Sequence, residues 1–222
     1  MGFSSCRLGL VLRHNRAIMF EIKSLTRLYP PCERCALPTV ACICERIQTI
    51  STHSKFLILT SQKEFSRASS TGRLFQLSNP NATEIFIWER KKPPLELLKQ
   101  IDSRTYLLFP AISEDLQQRV SESRPAPDSQ FIVLDGTWNE TQKILKKSAY
   151  LNTLPLISIA QTIPSAYTLR AGNLAGTACT IEAIMALLQM LGETAAAKVV
   201  AQNFELFLNA YQAGKSGHAL KT

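Results

Sequence analysis

The stretch Phe131-Ile-Val-Leu-Asp135-Gly-Thr-Trp138 limits the folds open to this chain more than any other. Four β-forming apolar residues run without alternation into Asp-Gly-Thr-Trp, and Asn139 to Lys147 has the spacing of a helix. A continuous apolar run of this kind is a strand covered on both faces, as in a parallel sheet with helices packed above and below. Gly136 lets the backbone turn sharply or approach a ligand closely. Thr137 or Asn139 caps the helix that follows, and its first amides point back at the turn. Asp135 then stands at the carboxyl end of a strand, the edge at which open α/β sheets bind ligands.

The pattern recurs along the chain. Phe56 to Thr60, Glu84 to Trp88, Tyr106 to Pro110 and Leu154 to Ile159 read as further strands. Helical stretches separate them: one within Ser61 to Leu77, then Leu95 to Asp102 and Ala111 to Arg119, with a polar connector from Glu122 to Gln130. Gly176 opens a long apolar helix that runs to Leu191, and an amphipathic helix follows from Ala201. Thr180 and Glu182 fall in the first turns of the apolar helix, where hydroxyls and carboxylates favour the positive helix end. Strands alternating with helices predict an α/β fold with a mostly parallel sheet.

Four of the six cysteines lie within residues 32–44, as Cys32-x2-Cys35 followed by Cys42-x-Cys44. Such density in a reducing compartment argues for a closed, structural tetrathiolate site rather than disulfides. Zinc is the expected metal, and an iron–sulfur cluster is the alternative. Cys179 stands apart and reads as a small core residue. The expected organisation is an extension over residues 1–28, a four-cysteine module over 29–52 and one larger domain over 53–222. The extension reads as a poor secretory signal, and it misses the myristoylation pattern because Cys6 occupies the Ser/Thr position.

The formal net charge of +8 makes a polyanion a natural partner. No G-x-G-x-x-G follows a strand and no Walker A sequence occurs, which removes the ordinary dinucleotide and NTPase sites. His14, His53 and His218 are not placed for a nucleophile–histidine pair. No apolar run approaches a membrane span, and a cytoplasmic protein is expected.

Taken in order, the four-cysteine module, Thr71-Gly-Arg-Leu74, Phe109-Pro110, Leu134-Asp-Gly-Thr-Trp138, Tyr167-Thr-Leu-Arg170 and Thr180-Ile-Glu-Ala183 resemble the DTW-domain family. The resemblance runs from Cys32 to Leu191. It departs where Ser61-Gln-Lys-Glu64 stands for His-Pro-x-Glu, Ser70-Thr71 for Asn-Thr, and Ala178-Cys-Thr-Ile-Glu-Ala183 for a stretch with Ser-Thr-Leu-Glu-Ala. The resemblance implies a SPOUT-like, knotted α/β domain that binds S-adenosylmethionine in its C-terminal loops. The implied activity is that of a tRNA-uridine aminocarboxypropyltransferase. It moves the 3-amino-3-carboxypropyl group to N3 of a uridine in tRNA and releases methylthioadenosine.

Carried onto this chain, the resemblance makes Asp135 the general base. The implied cofactor contacts are Phe109, Pro110, Asp135, Gly136, Thr137, Trp138, Ile159, Thr180 and Glu182. Arg73, Lys143, Lys146, Lys147 and Arg170 are the implied phosphate contacts, and Cys32, Cys35, Cys42 and Cys44 the zinc ligands. The implied partner is tRNA, with no membrane and no obligate protein partner. A SPOUT-type RNA methyltransferase and a non-enzymatic zinc-ribbon RNA-binding protein are the alternatives.

Overall fold

The fold is given by a computed structural model, which describes residues 22–159 and 178–220. Its strands are β1 (Lys55–Ser61), β2 (Thr83–Trp88), β3 (Thr105–Leu108), β4 (Gln130–Asp135) and β5 (Leu156–Ile157). Its helices are α1 (Gln62–Phe65), α2 (Thr71–Ser78), α3 (Leu95–Leu98), α4 (Glu114–Gln117), α5 (Trp138–Lys147), α6 (Thr180–Leu191) and α7 (Thr194–Lys215). The five strands form one sheet in the order β2-β1-β4-β3-β5. All neighbouring pairs are parallel.

Side-chain alternation divides the core into two halves. Phe56, Ile58, Phe131 and Val133 face α2, α6 and α7, where they meet Leu74, Phe75, Ile184, Leu187 and Phe207. Leu57, Leu59, Ile132 and Leu134 face the other way, towards Leu97, Leu116, Ile144 and Leu151. Both faces are covered, so these strands carry no polar alternation.

The four-cysteine stretch is built into this core. Cys35, Leu37 and Ile43 are buried in the same cluster as Phe56 and Phe207. The short 3-10 turn Thr39–Ala41 packs on α7. The chain leaving the module is fastened by Asn203 of α7, which is 1% exposed. Its amide oxygen accepts from Gln48 N (3.0 Å), and its amide nitrogen donates to Gln48 O (2.7 Å) and Ser78 Oγ (3.0 Å).

Several boundaries differ from the sequence reading, each for a local reason. The helix expected over Leu95 to Asp102 stops at Leu98. Asp102 instead accepts from Arg104 N (2.9 Å), and its own N–H donates to Thr105 Oγ1 (2.9 Å), a side-chain turn that competes with the helix. The helix expected over Ala111 to Arg119 stops at Gln117, because Arg119 to Ser121 joins the sheet edge beside Leu156. The last helix begins at Thr194 rather than Ala201, since Ala195 to Lys198 are strong helix formers. Gln130 belongs to β4 and not to the connector before it.

The N-terminal extension to residue 21, the Tyr167 to Arg170 loop and the expected helix start at Gly176 lie outside the described residues. So does the rest of the segment 160–177. Among the described residues no helix is long and apolar enough to cross a membrane.

Replacing Asn203 with Leu leaves both backbone groups of Gln48 without their partner. Losing these bonds is expected to destabilise the protein by about 1–3 kcal/mol, with a fall of about 2–4 °C in melting temperature for each kcal/mol. Thermal melts of Asn203→Leu beside wild type measure it; an unchanged melting point would mean the strap is not under load.

Candidate functional site

Adjacent strands β1 and β4 send their following helices to opposite faces of the sheet: Leu74 of α2 lies in one core half and Ile144 of α5 in the other. That divergence leaves a crevice at the carboxyl ends of the two strands, the place where α/β sheets bind ligands. Asp135 stands there, in register with Thr60 and 2% exposed. Its carboxylate accepts from Thr180 Oγ1 (2.6 Å), Ser70 Oγ (3.0 Å) and Thr60 Oγ1 (3.4 Å). Ser70 also caps α2 by accepting from Arg73 N (3.3 Å), and Thr180 is the first residue of α6. Two helix N-termini therefore converge on one carboxylate. A Cβ at Gly72 would lie 2.8 Å from the Asp135 carboxyl group, so only glycine lets α2 come this close.

The turn after Asp135 is held as firmly. Gly136 takes a φ of +156°, and a Cβ there would also crowd Glu140 at 3.1 Å. Thr137, one of the two caps that the sequence allows, forms a capping box with Glu140. Thr137 N donates to Glu140 Oε2 (2.9 Å), and Glu140 N donates to Thr137 Oγ1 (3.4 Å). Arg67 donates to both Glu140 oxygens (3.0 and 3.3 Å) and pairs with Glu64, which is 1% exposed. Burial alone would raise the Glu140 carboxyl, but the Thr137 amide and the Arg67 guanidinium outweigh it and hold it below its usual range. A depressed carboxyl of this kind supports the turn at neutral pH and stops doing so as the pH falls through its lowered range.

Thr60, Glu64, Arg67 and Ser70 were not nominated from the sequence. The spacings Thr137-x-x-Glu140 and Ser61-x-x-Glu64 were the available signals; nothing local marks Arg67.

The residues that the resemblance nominated for the cofactor divide around this crevice. Phe109, itself 4% exposed, stacks behind the half-buried Trp138 with centroids 5.6 Å apart and planes 9° apart, an aromatic shelf at the ends of β3 and β4 whose open ring is Trp138. Pro110 follows on the shelf's edge, half-buried, and Ala111 N donates to Ser158 Oγ (3.1 Å). Ile159 packs against the other core half, with α6. Thr180 is engaged with Asp135, and Glu182, 4% exposed, accepts from Cys179 N (2.7 Å). Cys179 is therefore the N-cap of α6, packed against the core rather than within it. Burial pushes its thiol up, and the charge of Glu182 adds to the rise.

The nominated phosphate contacts also separate. Lys143, Lys146 and Lys147 are exposed on α5. Arg73 is not on the surface: it is 6% exposed, lies over the Phe65 ring at 4.0 Å and donates to Phe65 O. Burial pushes the guanidinium below its usual value, and the charge of Asp135 opposes that shift. Its Nε has no partner. The enclosed guanidinium feels the charge of Asp135 from within the core, whereas the resemblance implies a phosphate contact for it. Arg170 lies outside the described residues.

Cys32, Cys35, Cys42 and Cys44 bring four sulfurs within 4.8 Å of one another. Sulfur pairs stand 3.7 Å (Cys32–Cys44), 3.8 Å (Cys35–Cys42) and 3.5 Å (Cys32–Cys42) apart. Thiolate–metal bonds of about 2.3 Å in a tetrahedron give sulfur–sulfur edges of about 3.8 Å, so the cage fits a single metal ion. An iron–sulfur cluster needs its sulfurs further apart than this. The tight Cys32-to-Cys35 knuckle is closed by Ala36, which takes a φ of +63° and donates to Cys32 O (2.8 Å). At such separations the four thiols cannot all ionise without a cation. The contacts among them pull Cys32 below its ordinary value, and the contact with Cys32 pushes Cys35 and Cys44 above theirs.

The family model of the DTW domain matches residues 29–212, from just before the cysteine cage to near the end of α7. tRNA-uridine aminocarboxypropyltransferase 2 of Mus musculus is 28% identical over 150 residues, 64% of this chain and 49% of that protein. The protein of the same name from Drosophila melanogaster is 26% identical over 167 residues, 72% of this chain and 66% of that protein. The one from Macaca fascicularis is 26% identical over 151 residues, 64% of this chain and 49% of that protein. The chain spans about half the length of the mouse and macaque relatives it matches. No solved structure matches it.

Protein prepared without oxygen is expected to carry about one tightly held metal ion per chain. Replacing both Cys32 and Cys35 with Ser should abolish the metal and lower the melting temperature, because the cage shares its core with Phe56 and Phe207. Elemental analysis that finds no metal in wild type would refute the site.

Proposed function

The chain belongs to the DTW-domain family, and from that premise we propose that it is a tRNA-uridine aminocarboxypropyltransferase with a structural zinc in its cysteine cage. The observation that carries this reading is the position of the Asp135-Gly136-Thr137-Trp138 turn, in the crevice between β1 and β4. The relatives' names supply the reaction type, and a SPOUT-like knot in the C-terminal part belongs to the same reading. S-adenosylmethionine supplies a sulfonium-activated 3-amino-3-carboxypropyl carbon. N3 of the uridine bonds to that carbon, the carbon–sulfur bond breaks towards sulfur, and the imide proton is given up to water or a base.

The chemistry needs orientation above all, because three carbons share the sulfonium and only one must lie in line with the nucleophile. The Phe109–Trp138 shelf suits a purine ring on one side of the crevice, with Pro110 at its edge. Ile159 and the start of α6 at Thr180 form the other side. Gly136, without a side chain, admits close approach to the Thr137 turn. Asp135, Glu64, Glu140 and Glu182 lie around the strand ends with Arg67 and Arg73. Carboxylates outnumber guanidiniums there, and a net negative lining favours a cationic sulfonium.

Asp135 was expected to be the base. A carboxylate that is 2% exposed and already accepts three hydroxyl hydrogens is better suited to anchoring the site. We therefore assign it to holding α2 and α6 against the strand ends. Asp135→Asn should then lower the melting temperature by several degrees, at a cost of about 1–3 kcal/mol, and weaken cofactor binding. Turnover should fall with the folded, loaded fraction and should not recover at higher pH. A base predicts a normal melt, a loss of about 10²–10⁴-fold in the transfer step and partial recovery as pH rises. Single-turnover rates across pH, measured beside thermal melts, separate the two.

Incubation of the protein with unmodified tRNA and S-adenosylmethionine should yield 3-(3-amino-3-carboxypropyl)uridine and methylthioadenosine in equal amounts by mass spectrometry. S-adenosylhomocysteine with a methylated nucleoside would instead make it a methyltransferase. Neither product, with RNA binding retained, would leave the non-enzymatic reading.

A further inference from the structure

We propose that the loop after β2, through Arg90, Lys91 and Lys92, joins the lysine face of α5 in one strip that binds the phosphodiester backbone of RNA. The proposal deepens the tRNA reading above and rests on it. Its basis is the parallel sheet. Trp88, the last residue of β2, is in register with Ser61, one step beyond the Thr60–Asp135 pair. The loop that follows therefore leaves the sheet on the same rim as Gly136.

That loop is brought to α5 by a specific bond. The indole N–H of Trp88 donates to Ser148 Oγ (2.9 Å), and Ser148 is the C-cap of α5. One end of α5 is thus fixed at the carboxyl end of the middle strand β4, and the other beside the carboxyl end of the edge strand β2. Lys143, Lys146 and Lys147 share one face of this helix by their i, i+3 and i+4 spacing. The loop is a turn in which Lys92 N donates to Glu89 O (3.4 Å), and Pro93 and Pro94 stiffen its exit. Arg90, Lys91 and Lys92 are exposed, as are the three lysines of α5.

No ion pair among the described residues uses any of these six cations. Glu89 is the acid that shares the loop with them. Lys99 and Arg104 are paired with neighbouring carboxylates, whereas Arg46, Lys55, Lys63 and Lys198 are exposed and, like the six, outside any ion pair among the described residues. What sets the six apart is their gathering on one rim by the Trp88–Ser148 bond and the strand register, and a run of neighbouring cations there suits the repeated phosphates of a nucleic-acid backbone. The strip adds reach without sequence discrimination, since phosphate contacts position a nucleic acid and do not read it.

The test is the salt dependence of tRNA affinity for wild type, for Arg90→Ala/Lys91→Ala/Lys92→Ala, for Lys143→Ala/Lys146→Ala/Lys147→Ala and for the sextuple variant. Between about 50 and 200 mM salt, each triple variant should weaken binding roughly tenfold or more and reduce the log–log slope by about 2–3. The sextuple variant should lose the sum of both. Lys91→Glu/Lys92→Glu should weaken binding further than alanine, and melting temperatures check that the variants fold. A loop variant that folds and keeps the wild-type affinity and slope overturns the strip and leaves the tRNA reading standing. Wild-type protein that binds no tRNA with a salt dependence overturns both.

Discussion

A carboxylate withdrawn from water is stable only where its environment replaces the solvation it has lost. Asp135 is such a group, and the arrangement around it is built to that requirement. Hydroxyls from β1, from the cap of α2 and from the first residue of α6 all donate to it. The N-termini of α2 and α6 face it, and the buried guanidinium of Arg73 supplies counter-charge. Gly72 is the steric complement of the same demand, since any side chain there would strike the carboxyl group. The relative placement of one strand end and two helices thus follows from satisfying a single charge.

The two sides of the crevice depend on different forces. On the α5 side the Thr137–Glu140 capping box and the Arg67 pairs make a polar lock, close to the Phe109–Trp138 shelf. On the α6 side an apolar core continues without interruption into the four-cysteine module. A metal in the cage would cross-link the knuckle and the following turn, and Asn203 fastens the outgoing strand of chain to α7 and α2. The module therefore supports the back of the site through α7 and the shared core.

Charge is distributed in two opposed zones. Acidic side chains lie around the strand ends, while six exposed cations outside any ion pair among the described residues lie on α5 and in the loop after β2. Under the proposed function, a cationic small substrate and a polyanionic large one call for that separation. Carboxylates placed among the surface lysines would pair with them and release fewer counterions on binding. Burying the acids behind a lock of salt bridges and hydroxyls keeps the two fields from cancelling.

The sequence by itself determined the parallel α/β class, the four longer strands, the strand–turn–helix at Asp135 and the four-sulfur cage. Each of these is written in local periodicity or spacing: continuous apolar runs, Asp-Gly followed by a capping residue, and C-x2-C with C-x-C. It could not determine where α3 and α4 stop. Asp102 and Thr105 settle the first through a side-chain turn, and the bridge between Val120 and Leu156 settles the second. Nor could it tell that Arg73 is buried, since an arginine three residues after a capping serine reads the same whether it faces water or a carboxylate. The partners of Asp135 come from positions 60, 70 and 180, and Arg67 meets Glu140 across 73 residues of chain. Only the tertiary structure brings such groups together, because their pairing is decided by strand order and helix packing, which no local pattern encodes.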